Sequence, residues 1–270
     1  MRQELRQCLE QMEASIRGLG GVLVAYSGGV DSTLVLEVAH RVLGDDCLGV
    51  IARSPSLPAA ELESALGTAR DRGIEVRVIA TNELELEGYV RNEPNRCFFC
   101  KTELYGTLAL LARDLGGRTI LDGFNVDDRG DWRPGRQAAG DHGVISPLDG
   151  AGLGKADIRE AARELGLPNW DKPAAACLSS RIAYGQPVTV ATLSRVEAAE
   201  TLVRGEGFGQ LRVRHHGAAA RIEVEPDQVP RLLEPERLAR VEAGLRRLGY
   251  ASVSVDPRGY RRGSLNASAG

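Results

Sequence analysis

Ser27-Gly28-Gly29-Val30-Asp31-Ser32 sets two glycines and two hydroxyls between a compact apolar run, Val22 to Tyr26, and a run with helical spacing, Ser32 to Leu43. Backbone N–H groups at the start of a helix, together with its dipole, make an anion site, and glycine lets the backbone approach phosphate closely. The Ser27 and Ser32 hydroxyls add donors. Asp31 cannot itself attract phosphate and is better assigned to organising the loop or to partnering magnesium. The plainer alternative is a serine-capped helix after a glycine turn. The GxxxxGKS/T pattern of a Walker loop is absent.

Two further stretches carry reactive types. Cys97-Phe98-Phe99-Cys100 has the spacing at which two thiolates can share a metal centre, and Lys101 beside it favours the thiolate form. A structural zinc half-site, a redox pair, or two ordinary cysteines at a helix start fit the same spacing. Cys177 stands in Lys172-Pro173-Ala174-Ala175-Ala176-Cys177-Leu178-Ser179-Ser180-Arg181, where small neighbours leave the sulfur accessible; a packed free cysteine is the alternative. Arg181 is close enough to attract an anionic substrate or to help hold a thiolate. Three cysteines can ligate three irons of a four-iron cluster and leave the fourth open to an extra sulfur ligand. Cys8 and Cys47 are read as structural. Asp122-Gly123-Phe124-Asn125-Val126-Asp127-Asp128 could bind magnesium or nucleotide, or be an acidic turn. Arg133, just beyond it, suits phosphate or carboxylate.

The elements that must position these residues alternate. Strands are expected at Val22 to Tyr26, Leu48 to Ala52, Val76 to Ile79 and Arg118 to Asp122, with helices at Ser32 to Leu43, Pro58 to Arg72 and Thr102 to Leu115. Alternation of this kind predicts an α/β fold with a parallel sheet covered on both faces, and ligands at the carboxyl ends of its strands. The phosphate loop, Ser54 and the acidic loop all follow strands. Helices at Lys155 to Leu165, Val190 to Gly205 and Glu234 to Leu248, with strands at Leu211 to His215, Ala220 to Val224 and Ser252 to Val255, predict a smaller C-terminal α+β domain. The expected division is 1–185, 186–260 and a flexible tail at 261–270.

Bulk properties narrow the function. The chain has 270 residues, 43% hydrophobic and 26% charged, with a net charge of -3, which gives no basic footprint for nucleic acid. Apolar runs are too short for a membrane span. The N-terminal segment reads as an amphipathic helix carrying acidic residues rather than a signal peptide, so a cytoplasmic location is expected. Five cysteines is an odd count, better suited to metal or sulfur chemistry than to full pairing.

The hexapeptide resembles the PP-loop of the ATP-pyrophosphatases (adenine nucleotide alpha hydrolase-like enzymes), which cleave ATP between the α and β phosphates and form an adenylated intermediate. Together SGGVDS, NRCFFCK, DGFNVDDRGDWRPG, KPAAACLSSRI and LRVRHHGAAARIEVE are similar, in order and spacing, to the LarE family of sulfur transferases that serve biosynthesis of the nickel-pincer nucleotide cofactor. The resemblance runs from about Gly21 to Glu225. It implies ATP and magnesium, a carboxylate of pyridinium-3,5-biscarboxylic acid mononucleotide as the adenylated group, and a thiocarboxylate product. It implies nucleotide contacts by Ala25, Ser27, Gly28, Gly29, Asp31, Ser32, Ser54, Gly123, Asn125 and Asp128, and catalytic roles for Cys177, Asp31 and Arg181.

Within that family two sulfur sources leave different cysteine patterns. In one, a lone cysteine matching Cys177 gives up its own sulfur and becomes dehydroalanine. In the other, a CxxC pair joins it to hold a 4Fe-4S cluster; Cys97, Cys100 and Cys177 match that form. Substrate contacts are expected from Arg133 and from Arg212 and Arg214, which alternate on a strand and share one face; a solvated strand face is the alternative. Glu197, Glu200 and Glu223 are candidate metal ligands. A homo-oligomer, as a hexamer, and neighbouring enzymes of nickel-pincer synthesis are the implied partners. A tRNA-thiolating enzyme, an amide-forming synthetase and a regulatory ATP-binding protein are the competing functions.

Overall fold

The computed structural model describes residues 1–130, 134–173 and 176–261. The chain divides into two compact units: Met1–Glu83 with Cys97–Ala175, and Leu84–Arg96 with the chain from Ala176 onward. The division therefore falls before Cys177 rather than after 185, and it moves Leu84–Arg96 into the second unit. Of the expected tail, 262–270 lies outside the described residues.

The first unit runs α1 (Gln3–Arg17), β1 (Val22–Ala25), α2 (Val30–Leu43), β2 (Cys47–Arg53), α3 (Ala59–Asp71), β3 (Val76–Ala80), α4 (Arg96–Asp114, entering from the second unit), β4 (Thr119–Leu121) and α5 (Lys155–Glu164). Its sheet has the order β3-β2-β1-β4, and every pairing is parallel, with Val22 opposite both Cys47 and Thr119. This is the α/β architecture expected from the alternation. Side chains along a strand point to alternate faces. Val22 and Val24 accordingly enter the core with α1 and α2, and Leu23 enters the opposite one with Tyr105 and Leu108 of α4. α1 buries Leu5, Leu9, Met12 and Ile16, a spacing that puts all four on one helical face.

The second unit contains α6 (Val190–Gly205), β5 (Leu211–His216), β6 (Ala219–Val224), α7 (Pro235–Arg247) and β7 (Ser252–Val255). Its sheet order is β5-β6-β7, antiparallel then parallel. Thr189 starts α6, accepting from Thr192 N through its hydroxyl. The core gathers Val203, Leu211, Val213, Ile222, Leu232, Val241 and Leu245. No helix among the described residues is long and apolar enough to cross a membrane.

Candidate active site

The phosphate loop joins β1 to α2 as expected. Gly28 has φ 73°, and a Cβ there would lie 2.6 Å from the Ala65 Cβ, so both backbone and space require glycine. Bonds within the loop fix its course. Ser27 N donates to Ser32 Oγ at 3.1 Å, the two hydroxyls are 3.0 Å apart, and Thr33 Oγ1 donates to Gly29 O at 2.8 Å. Gly29 caps α2 with no side-chain hydrogen bond, which leaves the first-turn N–H groups to an anion. Ala25 ends β1, half-buried.

The acidic loop after β4 closes on the same place. A Cβ on Gly123 would lie 2.8 Å from Ser32 N, so glycine permits this close approach. Asn125 is 1% exposed; its Oδ1 accepts from Asp127 N at 3.1 Å, while its Nδ2 has no partner. Asp128 accepts from Asn125 N at 3.3 Å. Ser54, at the end of β2, hydrogen-bonds Ser56 at 2.8 Å, and Ser56 in turn donates to the buried Glu83 at 3.2 Å.

Two residues here were missed in the sequence. Lys155 Nζ donates to both Asp31 oxygens, one at 2.5 Å, and its backbone N–H donates to Asp127 at 2.6 Å. Asn169, 8% exposed, donates to Gly28 O at 3.1 Å and Thr33 Oγ1 at 2.8 Å. Neither carries a local signal, because each acts more than a hundred residues from its partner.

Cys97 and Cys100 occupy the first turn of α4, three apart and so on one side of it. Cys97 is exposed and Cys100 half-buried. Lys101 Nζ lies 5.7 Å from the Tyr105 ring centroid. Its ammonium is pushed above the ordinary lysine value by the Tyr105 oxygen first, against burial, and then by Cys100, Asp122 and Cys97. This keeps a positive charge on the helix that carries the two thiols. Cys47 differs: burial pushes its thiol up to about 12, as befits a structural cysteine.

Cys177, in the second unit, is exposed and precedes the turn Leu178–Arg181. Arg181 is 3% exposed and turns inward. It donates to Ala176 O at 2.5 Å and Cys177 O at 3.0 Å, and makes a two-point pair with Glu200 at 2.9 and 3.2 Å. Its visible work is thus on the backbone of the Cys177 loop rather than on a thiolate or substrate anion. Arg214 likewise donates to Ser180 O at 3.0 Å and pairs with Glu223 at 2.9 Å. Arg212 stacks on the Tyr260 ring, 4.9 Å from its centroid. Burial and the neighbouring Arg181 charge lower its affinity for a proton. The alternative of a solvated strand face is excluded, since Arg212 and Arg214 are 8% and 5% exposed.

Two of the glutamates expected as metal ligands have arginine partners in this structure. Glu200 accepts from Arg181 with both oxygens and from Val213 N; Glu223 accepts from Arg214 and Arg221. Their lone pairs face guanidinium groups, which burial makes the stronger claim on them. Glu197 is half-buried on α6. No group of three or more His, Cys, Asp or Glu side chains among the described residues is arranged to hold a metal ion. Arg133 lies outside the described residues.

No family model matches the chain. It is 44% identical over 97% of its length to an uncharacterised Synechocystis protein, of which it covers 98%. It is 37% identical over 94% of its length to the pyridinium-3,5-bisthiocarboxylic acid mononucleotide synthase of Lactiplantibacillus plantarum, covering 91% of that protein. An NH3-dependent NAD+ synthetase of Mannheimia succiniciproducens is 27% identical over 61% of this chain, covering 68% of that enzyme. With the SGGVDS loop set between β1 and α2, these similarities establish that the chain belongs to the LarE family of PP-loop, ATP-using sulfur transferases.

Proposed function

We propose that this protein adenylates a carboxylate of pyridinium-3,5-biscarboxylic acid mononucleotide and converts it to the thiocarboxylate. The observation that carries this is an exposed Cys177 on a loop anchored by buried arginines, in a chain whose phosphate loop leaves its helix N-terminus without a side-chain cap. The substrate carboxylate attacks the α-phosphorus of ATP, the bond to the β-phosphate oxygen breaks, and pyrophosphate leaves. Sulfur then attacks the acyl carbon, and AMP departs with the original carboxylate oxygen.

The residues divide this work. The first-turn N–H groups of α2 and the Gly28–Gly29 backbone hold phosphate. Asp31 would take magnesium, which frees the Lys155 ammonium for the charge that develops on pyrophosphate. Asn125 Nδ2, buried without a partner, is a donor ready for the nucleotide. Arg212 and Arg214 would bind the mononucleotide phosphate, and Arg214 would exchange one of its present partners to do so.

The donor set suits an iron–sulfur cluster in chemistry: Cys97, Cys100 and Cys177 supply three thiols, two of them on one helical turn with Lys101 beside them. When bound there, a 4Fe-4S cluster would supply the sulfide that replaces oxygen. The test is iron and acid-labile sulfide content of protein purified without oxygen, alongside product formation. About four irons per chain, lost in C97S, C100S and C177S, is expected. Iron-free protein that turns over once and leaves dehydroalanine at position 177 would instead make Cys177 the consumed donor. Unchanged product formation by C177S would sink sulfur transfer through this residue altogether.

A further inference from the structure

The loop that carries Cys177 is fixed from a second side by residues that the sulfur chemistry does not otherwise use. The segment Leu84–Arg96 belongs to the same unit as Cys177, and it reaches that loop through three side chains. Tyr89 Oη and Ser179 Oγ are 2.6 Å apart. Arg96 Nη1 donates to Ser179 O at 2.9 Å and to Asn92 Oδ1. Asn92 Nδ2 shares its donors among the carbonyls of Ile182, Ala183 and Gln186 at 3.2, 2.8 and 3.0 Å. Backbone bonds from Gly185 N to Asn92 O and from Val188 N to Val90 O extend the attachment.

All four side chains are buried: Tyr89 at 1%, Asn92 at 0%, Arg96 at 6% and Ser179 at 0% exposed. Asn92 adopts φ 54°, a left-handed conformation that asparagine tolerates better than most residues and that persists only where its surroundings enforce it. Buried polar groups joined in a satisfied network specify one arrangement, because breaking any bond leaves a partner unsatisfied. Ser179 is two residues beyond Cys177, within the turn that Cys177 precedes. The network consequently ends at the part of the backbone that sets where the Cys177 sulfur is presented.

We propose that Tyr89, Asn92 and Arg96 are positioning residues for the Cys177 sulfur, acting through Ser179 and the carbonyls of 182–186. The proposal rests on the assignment of sulfur handling to Cys177. Transfer of a group between reacting atoms is sensitive to misplacement of about 1 Å, which can cost about a hundredfold in rate. Adenylation depends on the phosphate loop of the other unit and on Arg212 and Arg214 for the substrate, so a variant that cuts only the Tyr89–Ser179 bond should change it little.

The experiment compares Y89F and R96K with the wild-type full-length enzyme, given ATP and the biscarboxylic acid mononucleotide. Three quantities are read: thiocarboxylate formation, pyrophosphate release with hydroxylamine present to trap the acyl adenylate, and the rate at which iodoacetamide labels Cys177, followed by peptide mass spectrometry. Y89F removes one hydroxyl and keeps the ring in its packed place, so it stays folded even if R96K does not; thermal melting checks both.

In Y89F, thiocarboxylate formation is expected to fall about tenfold or more, with pyrophosphate release within about twofold of wild type and a changed Cys177 labelling rate. S179A should reproduce the effect, because it removes the same bond. Wild-type sulfur transfer in Y89F, or a parallel loss of pyrophosphate release, would overturn the proposal. C177S separates this from the broader assignment. If C177S abolishes product while Y89F is wild type, only the positioning role fails; if C177S still makes product, the Cys177 assignment fails and takes the positioning role with it.

Discussion

The phosphate loop holds its shape mostly through neighbours, with Ser27 bonded to Ser32 and Thr33 to Gly29, five and four residues apart, and takes support from afar through Asn169 and Lys155. The Cys177 loop holds its shape through guanidinium groups, one of them 34 residues away at Arg214 and another 83 residues away at Arg96. In the first, glycine geometry and short hydroxyl bonds leave backbone N–H groups facing outward for an anion. In the second, backbone carbonyls at Ala176, Cys177, Ser179 and Ser180 are all taken by arginine, and the reactive atom left outward is a side-chain sulfur. A loop that binds with its backbone N–H groups must keep those donors open and can be gripped only at a carbonyl such as Gly28 O; a loop that reacts with a side chain has its whole backbone free to be gripped from elsewhere. The two should therefore fail differently when cut.

The largest effect is expected at Glu200. Glu200→Ala leaves Arg181 buried without its carboxylate, in a pair whose side chains are each 4% exposed, and removal of one partner of such a pair costs about 3–5 kcal/mol. Urea unfolding should report that loss in the second unit. The double variant R181M/E200L sharpens the point. An apolar pair often replaces a buried ion pair without loss of stability, so folding should recover while sulfur transfer stays low, because Ala176 O still lacks its donor and Cys177 O keeps only those of Ser180. Recovery of both would show that the guanidinium grip has no catalytic consequence.

Gly28→Ala should break the other loop without unfolding its unit. The new Cβ meets the Ala65 Cβ at 2.6 Å in a backbone with φ 73°, and the loop must shift. Pyrophosphate release should fall about a hundredfold for a displacement near 1 Å, with Cys177 labelling unchanged. Asn169→Ala is a smaller cut on the same loop. It deletes the donor to Gly28 O and Thr33 Oγ1 at a cost of about 1–3 kcal/mol, and it should raise the KM for ATP more than it lowers kcat.

The same contrast explains what could be read in the sequence. The parallel sheet, its helices and the phosphate loop follow from periodicity and from glycine and serine spacing within a dozen residues, and the strands and helices fall within a few residues of their expected ends, apart from α4, which starts six residues early and takes in Cys97 and Cys100. The Asp31–Lys155 pair, 124 residues apart, has no local signature. Arg181 shows the limit clearly: closeness in sequence to Cys177 suggested a hand on the sulfur, but which way a guanidinium turns is decided by Glu200, which lies on a different element. An acidic residue in a sequence does not disclose the arginine opposite it, so the partners of Glu200 and Glu223 are legible only in the structure. Arg212 and Arg214 share a face of β5 as alternation requires, yet that strand is buried along nearly its whole length, which alternation cannot reveal when both faces are covered.

The smallest and most selective effect concerns pH. His215 and His216 lie on β5, where burial first and then the charge of neighbouring arginines, Arg195 for one and Arg221 for the other, lower their affinity for a proton below the ordinary value of 6.5. His215 also contacts Tyr250 Oη through Nδ1 at 3.2 Å. A histidine whose folded value is depressed binds more protons when unfolded in the interval between the two values, so stability increases with pH there. The contribution is complete above about 6.5 and is lost as pH falls below it toward the folded values. The second unit, and with it the grip on Cys177, should loosen on mild acidification, whereas the phosphate loop has no histidine bonded to it in its local network. Unfolding at pH 7.5 and pH 5.5, about one unit either side of that ordinary value, should show a drop that shrinks in H215Q/H216Q. An undiminished drop in that variant would assign the acid sensitivity to groups other than these two histidines; Asp256 is not among them, since its value lies below 3.8 and its contribution is lost only in stronger acid.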